Sequence, residues 1–284
     1  YEISLGLVGS EMCIRDSRRA VQKSSNVATM RIYEQLTPKT CLKYLEEMNF
    51  KYLTDSDYKY YTTCIGGFTK GTTSEEMAAG YATLKNDGVY REPTCISKIT
   101  TSDGDEVMSS STKKRRVYST NAANAMTDVL KSVVTGGTGV GAKVPNVDTA
   151  GKTGTTSLNK DGWFCGYTPY YTTAVWVGRD DNRIMESLSG ASYPKSIWSN
   201  FMNAIHSEYS STDSMGGSYT DYQGETTQQT GTQATTATES STKGTEATTA
   251  APTTAAPTTA APTTAAPTTA APQTEEPVSY THLR

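Results

Sequence analysis

The chain has 284 residues, of which 35% are hydrophobic and 19% are charged, and its formal net charge is −3 at pH 7. The sequence contains no run of 18 apolar residues, so it predicts no membrane span, and its charge balance does not indicate a nucleic-acid partner. Two histidines, and five cysteines without a CxxC pair, argue against a histidine-rich metal site or a zinc ribbon, so we expect no metal and no cofactor.

The two ends of the chain have sequences that are not typical of a folded domain. Residues 4–17 (SLGLVGSEMCIRDS) and the last eight residues (PVSYTHLR) are similar to translated sequencing-adapter sequence. We therefore expect residues 1–17 and 277–284 to be non-native segments and the natural protein to begin before Arg18. The segment expected to fold is 18–206.

Five helices are predicted within this segment. Thr37-Pro38 supplies an N-cap and a first-turn proline for the second helix, and Thr73 with Glu76 forms a capping box for the third. The residues expected to face the core, helix by helix, are Val27, Met30, Tyr33 and Leu36; Cys41, Leu42, Leu45 and Met48; Met77, Tyr81 and Leu84; Met126, Val129, Leu130 and Val133; and Ile197, Trp198, Phe201 and Ile205.

Strand signals lie between these helices. Residues 90–100 are rich in β-formers but are interrupted by Pro93, and Asp103-Gly104 predicts a hairpin turn. Three further strands are predicted over 152–156, 163–167 and 172–178. Helices followed by an antiparallel meander and a closing helix predict an α+β domain with helices packed on an antiparallel sheet.

The segment 207–276 is dominated by Thr, Ala, Ser, Gly, Gln and Pro, and it contains five TTAAP repeats over 248–272. A five-residue period is too short for a packed structural unit. Such a composition buries too little apolar surface to offset its ordering entropy. We therefore predict a disordered tail, typical of the stalk of a secreted or surface protein.

Gly151-Lys152-Thr153 invites comparison with a nucleotide-binding P-loop. The P-loop pattern requires glycine at position 146, which is Asn146, and a helix after the motif. A turn and a hairpin are predicted there instead, which argues against nucleotide binding.

We interpret the same segment as an open strand edge. Thr153 and Thr155 share one face of a strand, where two hydroxyls can hold a carboxylate. Gly154 leaves room for a ligand backbone lying along the strand, and Lys152 supplies positive potential. As an edge residue, Lys152 is expected to bury little surface.

A second motif, the S-x-N triplet Ser24-Ser25-Asn26, precedes the first predicted helix. Together with the motif Lys152-Thr153-Gly154, this triplet supplies two of the three sequence elements of penicillin-recognising serine enzymes. The residues between them extend the match. Residues 18–206 resemble the transpeptidase domain of class A penicillin-binding proteins, with matching segments at 66–71 (GGFTKG), 76–82 (EMAAGYA), 86–90 (NDGVY), 137–139 (GTG), 150–156 (AGKTGTT), 161–169 (DGWFCGYTP) and 175–178 (VWVG).

The resemblance implies a role for each motif residue. Ser24 and Lys152 relay a proton towards the leaving group, and Asn26 holds the substrate amide or a catalytic lysine. Thr153 and Thr155 bind the terminal carboxylate beside Gly154, and the backbone N–H of Thr155 supplies half of an oxyanion hole.

The third element, an S-x-x-K nucleophile, does not occur before Ser24. The pattern appears at Ser110–Lys113 and Ser111–Lys114, in a solvated loop, and we interpret both copies as chance. We therefore expect the C-terminal part of a transpeptidase domain, inactive alone, from a parent with an upstream glycosyltransferase domain and membrane anchor.

The implied partners are peptidoglycan stem peptides ending in D-Ala-D-Ala, β-lactams, and the cell-division or elongation machinery. The implied location is the outer face of the bacterial plasma membrane, with membrane contact only through the upstream anchor. A D,D-carboxypeptidase or a β-lactamase shares these motifs and uses water as acceptor. A different alternative is a non-catalytic surface protein that carries a pseudoenzyme domain on a Thr/Pro stalk.

Overall fold

The computed structural model describes residues 11–209 and 213–220, with side chains from Ser17 onward. The TTAAP repeats and the last eight residues lie outside the described residues. The first helix begins at Glu11 and so includes part of the segment 1–17 that the sequence marks as foreign.

The helices largely follow the predicted caps. Glu76 N–H donates to Thr73 Oγ1 at 3.1 Å while Thr73 N–H donates to Glu76 Oε2 at 3.0 Å, which completes the predicted capping box. Ser119 caps the longest helix through Ala122 N–H. The helices of the described segments are α1 (Glu11–Gln22), α2 (Asn26–Leu36), α3 (Pro38–Glu47), α4 (Ser74–Lys85), α5 (Thr120–Gly136) and α6 (Tyr193–Ile205).

The strands form three antiparallel sheets. Strands β1 (Val89–Arg91) and β4 (Lys114–Arg116) pair with each other, as do β2 (Lys98–Thr100) and β3 (Glu106–Ser109). The third sheet is the predicted meander, in the order β5-β6-β7. Its strands are β5 (Ala150–Thr155), β6 (Asp161–Tyr167) and β7 (Thr172–Gly178).

Both faces of the meander are covered by helices. Phe164 and Tyr167 lie three residues apart on β6, so their side chains point to opposite faces. Phe164 packs against Trp198 of α6, with ring centroids 5.0 Å apart. Tyr167 belongs to a second buried cluster with Leu130 of α5. The predicted α+β architecture is confirmed, and the sheet packs against α4, α5 and α6.

On two helices the structure buries only part of the face that the sequence predicts. On α2, Val27 is 62% exposed, whereas Tyr33 is buried. On α6, Ile197 and Phe201 are each 50% exposed, whereas Trp198 is fully buried. Both helices carry apolar residues on more than one side, so periodicity alone does not identify the packed face.

The described part of the tail also differs from the predicted disorder. Residues 213–220, which we call the strap, run back over α5, and Met215 is only 7% exposed. One buried apolar side chain and several hydrogen bonds order a segment whose composition gives no such signal. No helix in the described ranges is long and apolar enough to cross a membrane.

Candidate active site

Strand β5 has one open edge, because only β6 pairs with it in the described part of the chain. Thr156 N–H donates to Asp161 O at 3.0 Å, and the register continues without a shift along β5. Hydrogen-bonded pairs alternate in an antiparallel ladder. The backbone N–H and C=O groups of Thr153 and Thr155 therefore point away from β6, towards the open edge. This edge offers the N–H groups of Thr153 and Thr155 and the carbonyl of Thr155 to an extended ligand.

The amine of Lys152 lies beside this edge. Its Nζ is 2.7 Å from Ser24 Oγ and 2.9 Å from Thr153 O. Burial lowers the pKa of Lys152 from 10.5 to about 8. The Lys152 side chain is half-buried, so the prediction that it buries little is wrong. An amine with this pKa exchanges protons readily near neutral pH, and its hydroxyl partner completes a two-group relay.

Ser24 is held in an uncommon conformation at the end of α1. Its φ angle is 56°, in the left-handed region that serine rarely occupies. Its N–H donates to Val21 O at 3.1 Å, and Ser25 N–H donates to Ala20 O at 2.8 Å. Such backbone strain is often found at functional sites, where the surrounding structure maintains it. Asn26 follows as the exposed first residue of α2.

Thr138 connects the two motifs, although the sequence assigned it no role. Its Oγ1 lies 2.7 Å from Thr153 Oγ1, and its N–H donates to Gln22 O at 3.3 Å. It therefore joins the end of α1 to the face of β5. The resemblance includes Thr138 in its 137–139 segment, but a sequence pattern does not show the contact by which Thr138 links two motifs more than 100 residues apart.

Gly190 closes over the other end of the motif. Its N–H donates to Thr155 Oγ1 at 3.0 Å, and a Cβ there would lie 2.4 Å from both Gly154 O and Trp163 O. A Cβ at Gly154 would meet the Trp163 side chain at 3.2 Å. Close packing against the backbone of β5 and β6 therefore explains Gly190, and a tight contact with the Trp163 side chain adds to the ligand clearance predicted for Gly154.

The structure brings together Ser24, Lys152, Thr153 and Thr155, as the motifs predict. The S-x-x-K copies that begin at Ser110 and Ser111 lie in the connection between β3 and β4, in a different part of the fold from β5. Within residues 11–209 and 213–220, no group of three or more His, Cys, Asp or Glu residues is placed to hold a metal ion. The groups that meet at the site are an amine, hydroxyls and backbone N–H groups.

Comparison with known families gives one extended match. The model of the penicillin-binding protein transpeptidase domain matches residues 9–203. A penicillin-binding protein 1A from Clostridium botulinum is 30% identical over 190 residues, which are 66% of this chain and 23% of that protein. Penicillin-binding protein 4 from Bacillus subtilis is 33% identical over 187 residues, 66% of this chain and 30% of that protein. The chain thus spans less than a third of these relatives.

Solved structures show the same fold. PonA1 from Mycobacterium tuberculosis, in complex with penicillin V, aligns with a TM-score of 0.64 at 23% identity and covers 72% of this chain and 59% of that one. The D,D-transpeptidase domain of a peptidoglycan glycosyltransferase from Eggerthella lenta aligns with a TM-score of 0.54 at 22% identity, covering 68% and 53%.

Proposed function

This chain belongs to the penicillin-binding protein transpeptidase domain family, and we propose that the open edge of β5 with the Ser24–Lys152 pair is the substrate-holding part of a serine D,D-transpeptidase site. The reaction cross-links peptidoglycan. A serine attacks the penultimate D-Ala carbonyl of a stem peptide and the terminal D-Ala leaves. The acyl group then passes to an amine of a neighbouring stem peptide.

The observation that carries this proposal is the 2.7 Å contact between Lys152 Nζ and Ser24 Oγ at an open strand edge. Expulsion of D-Ala requires a proton on its nitrogen. Lys152, with its pKa lowered to about 8 by burial, can give a proton to Ser24 as Ser24 gives its own to the leaving nitrogen. Asn26 is placed two residues further on, at the start of α2, and we assign it to the substrate amide or to the lysine of the S-x-x-K element.

The β5 edge suits the end of the stem peptide. Lys152 makes its hydrogen bonds to neutral oxygens, so its positive charge is not cancelled by a bonded carboxylate. A peptide carboxylate can take that place, with the hydroxyls of Thr153 and Thr155 as further donors. The outward N–H of Thr155 is suited to the oxyanion, where one donor contributes about 10²–10³ in rate. Gly154, which lies between these two threonines and has no side chain, leaves room for the backbone of the bound peptide.

No S-x-x-K precedes Ser24 in these 284 residues, and we propose that the nucleophile belongs to a part of the parent protein upstream of them. We propose that the chain alone forms no acyl-enzyme and that its site acts in a parent with an S-x-x-K helix, a glycosyltransferase domain and a membrane anchor, on the outer face of the plasma membrane. There it acts on stem peptides, reacts with β-lactams and works with cell-division or elongation machinery. The resemblance over 163–169 and 175–178 favours a transpeptidase over a carboxypeptidase or β-lactamase.

Binding of a stem-peptide mimic by this chain tests the proposal without chemistry. Titration with a diacetyl-Lys-D-Ala-D-Ala peptide should shift the NMR signals of the Thr155 amide and the Lys152 amine, and the L-Ala-L-Ala isomer should not. Lys152→Met should weaken binding about tenfold or more, on the scale of a lost charge-assisted hydrogen bond, whereas Lys39→Met, at an exposed position on α3, should leave it unchanged. Equal shifts from both isomers, or shifts away from β5, would contradict the assignment.

A further inference from the structure

The strap is anchored by one apolar residue. Met215 is buried in a cluster with Leu130 of α5, Ala150 of β5 and Tyr167 of β6. Gly216 has a φ of +75°, a conformation that favours glycine, and a Cβ on Gly217 would lie 2.9 Å from Asn124 Nδ2 and displace that side chain. The strap therefore contacts the sheet that carries the site and the helix α5 that packs on that sheet.

A carboxylate fixes the start of the strap. Asp148 Oδ2 accepts hydrogen bonds from Met215 N–H at 3.0 Å, from Ser214 Oγ at 3.1 Å and from Lys131 Nζ at 2.7 Å. Burial alone raises the pKa of Asp148, but these donors outweigh it and hold the pKa below its ordinary value. Asp148 therefore stays ionised at neutral pH and keeps the strap beside the N-terminal end of β5.

The far end of the strap is attached to α5 and α1 together. Tyr219 Oη donates to Asp128 Oδ2 at 2.9 Å and accepts from Arg18 Nη2 at 3.0 Å, while Arg18 also pairs with Asp128. Next to it, Thr220 N–H donates to Asn121 Oδ1 at 2.7 Å, and Asn121 Nδ2 donates to Thr220 O at 2.9 Å. The tyrosine hydroxyl is thus one corner of a three-residue junction between strap, α5 and α1.

Helix α1 leads directly to the catalytic motif. Four residues after Arg18, Gln22 Nε2 donates to Ser132 O at 3.0 Å, and the Gln22 carbonyl accepts from Thr138 N–H. Two residues later the chain enters the left-handed turn of Ser24. The position of Ser24 relative to Lys152 therefore depends on how α1 is held against α5.

We propose that the strap is a positioning clamp for the site: through Tyr219 and Arg18 it fixes α1 on α5 and so holds Ser24 at Lys152. The significance of this clamp rests on the proposed function of Ser24. The contacts themselves do not, and the test below uses no substrate, so its failure would leave the proposed function standing.

The test compares two conservative variants of the full chain. Tyr219→Phe removes only the hydroxyl from the junction, and Asn121→Ala releases the backbone of Thr220. Because a hydrogen bond of this kind contributes about a fivefold change in a local opening equilibrium, each variant should speed hydrogen exchange of the α1 amides about fivefold. In both, NMR of labelled lysine should show the Lys152 amine titrating at higher pH than in the wild type, because Ser24 is held against it for a smaller fraction of the time.

The matched control is Tyr209→Phe. Tyr209 Oη also makes a tyrosine-centred hydrogen bond, 2.8 Å from Tyr171 Oη, but Tyr209 precedes the strap and this bond involves none of the junction residues Arg18, Asp128 and Tyr219. It should change neither α1 exchange nor the Lys152 titration. The proposal is overturned if α1 exchange is unchanged in both strap variants, if α1 loosens while the Lys152 titration stays at its wild-type value, or if Tyr209→Phe has the same effects.

Discussion

Replacing Lys152 by methionine should stabilise the fold at neutral pH while removing the central group of the site. Burial lowers the pKa of Lys152 from 10.5 to about 8, so the protonated amine is disfavoured in the folded state by roughly 3 kcal/mol. Methionine keeps most of the apolar stem but loses the hydrogen bonds to Ser24 and Thr153, which contribute roughly 1 kcal/mol each. The net gain in unfolding free energy is about 1–2 kcal/mol at pH 7.

The same balance predicts how stability changes with pH. The folded-state pKa lies below the unfolded value, so between about pH 8 and 10.5 the unfolded chain binds more protons. The penalty is complete below pH 8 and disappears above 10.5. Wild-type stability should therefore rise relative to Lys152→Met across this window, and above it the variant should be the less stable of the two.

Urea unfolding of both proteins from pH 6 to 11 measures the difference, with the exposed Lys39→Met as control. The difference between the wild-type and Lys152→Met stability curves removes the contribution of every other titrating group. A variant that is less stable than the wild type at pH 7, or a difference that does not depend on pH, would show that Lys152 is not destabilised by burial and would refute this account of its pKa.

Two further predictions concern residues that support the fold and the site. Asp57 is 1% exposed and accepts from the backbone and hydroxyl of both Thr54 and Thr69, so Asp57→Asn should cost about 2–4 kcal/mol at pH 7 by urea unfolding, with the exposed Asp55→Asn as control. Burial raises the pKa of Asp57, but the four donors outweigh burial and lower the pKa below 3.8. The stability contributed by the carboxylate is therefore present above pH 3.8 and is lost as the pH falls further. If Asp57→Asn destabilised the fold equally at pH 7 and pH 2, this account would be contradicted. Gly190→Ala should displace the loop over β5, cost about 1–3 kcal/mol and weaken peptide binding. Gly80→Ala, whose Cβ meets the Phe50 ring at 3.5 Å, should do neither, and an unchanged melting temperature in Gly190→Ala would show that the loop yields freely.

What the sequence predicts well is local or comes from a recognised motif. The Thr73 capping box and the strands of the meander depend on neighbouring residues, and the structure contains them. The resemblance identifies Lys152 and Ser24 as partners across 128 positions, which no propensity can do. These two side chains meet only because α1 and β5 both pack on α5.

What the sequence does not predict depends on which surfaces meet. The burial of Lys152, the packed face of α6 and the link made by Thr138 follow from tertiary contacts. The strap is the clearest example, since a segment of Asp, Ser, Gly and Thr is ordered by the single anchor Met215 and by carboxylates on α5 and before β5. The average composition of such a segment does not reveal that a single apolar residue, Met215, is buried and orders it.

Acylation by a fluorescent penicillin tests the central claim most directly. The 284-residue chain should show no covalent label in a denaturing gel. A polypeptide in which an S-x-x-K segment of the family precedes residue 18 should be labelled, and Lys152→Met in that background should slow acylation about 10²–10⁴-fold, the usual effect of losing a group that transfers protons in the reaction. Labelling of the chain alone, or acylation at the wild-type rate without Lys152, would contradict the assignment of this site.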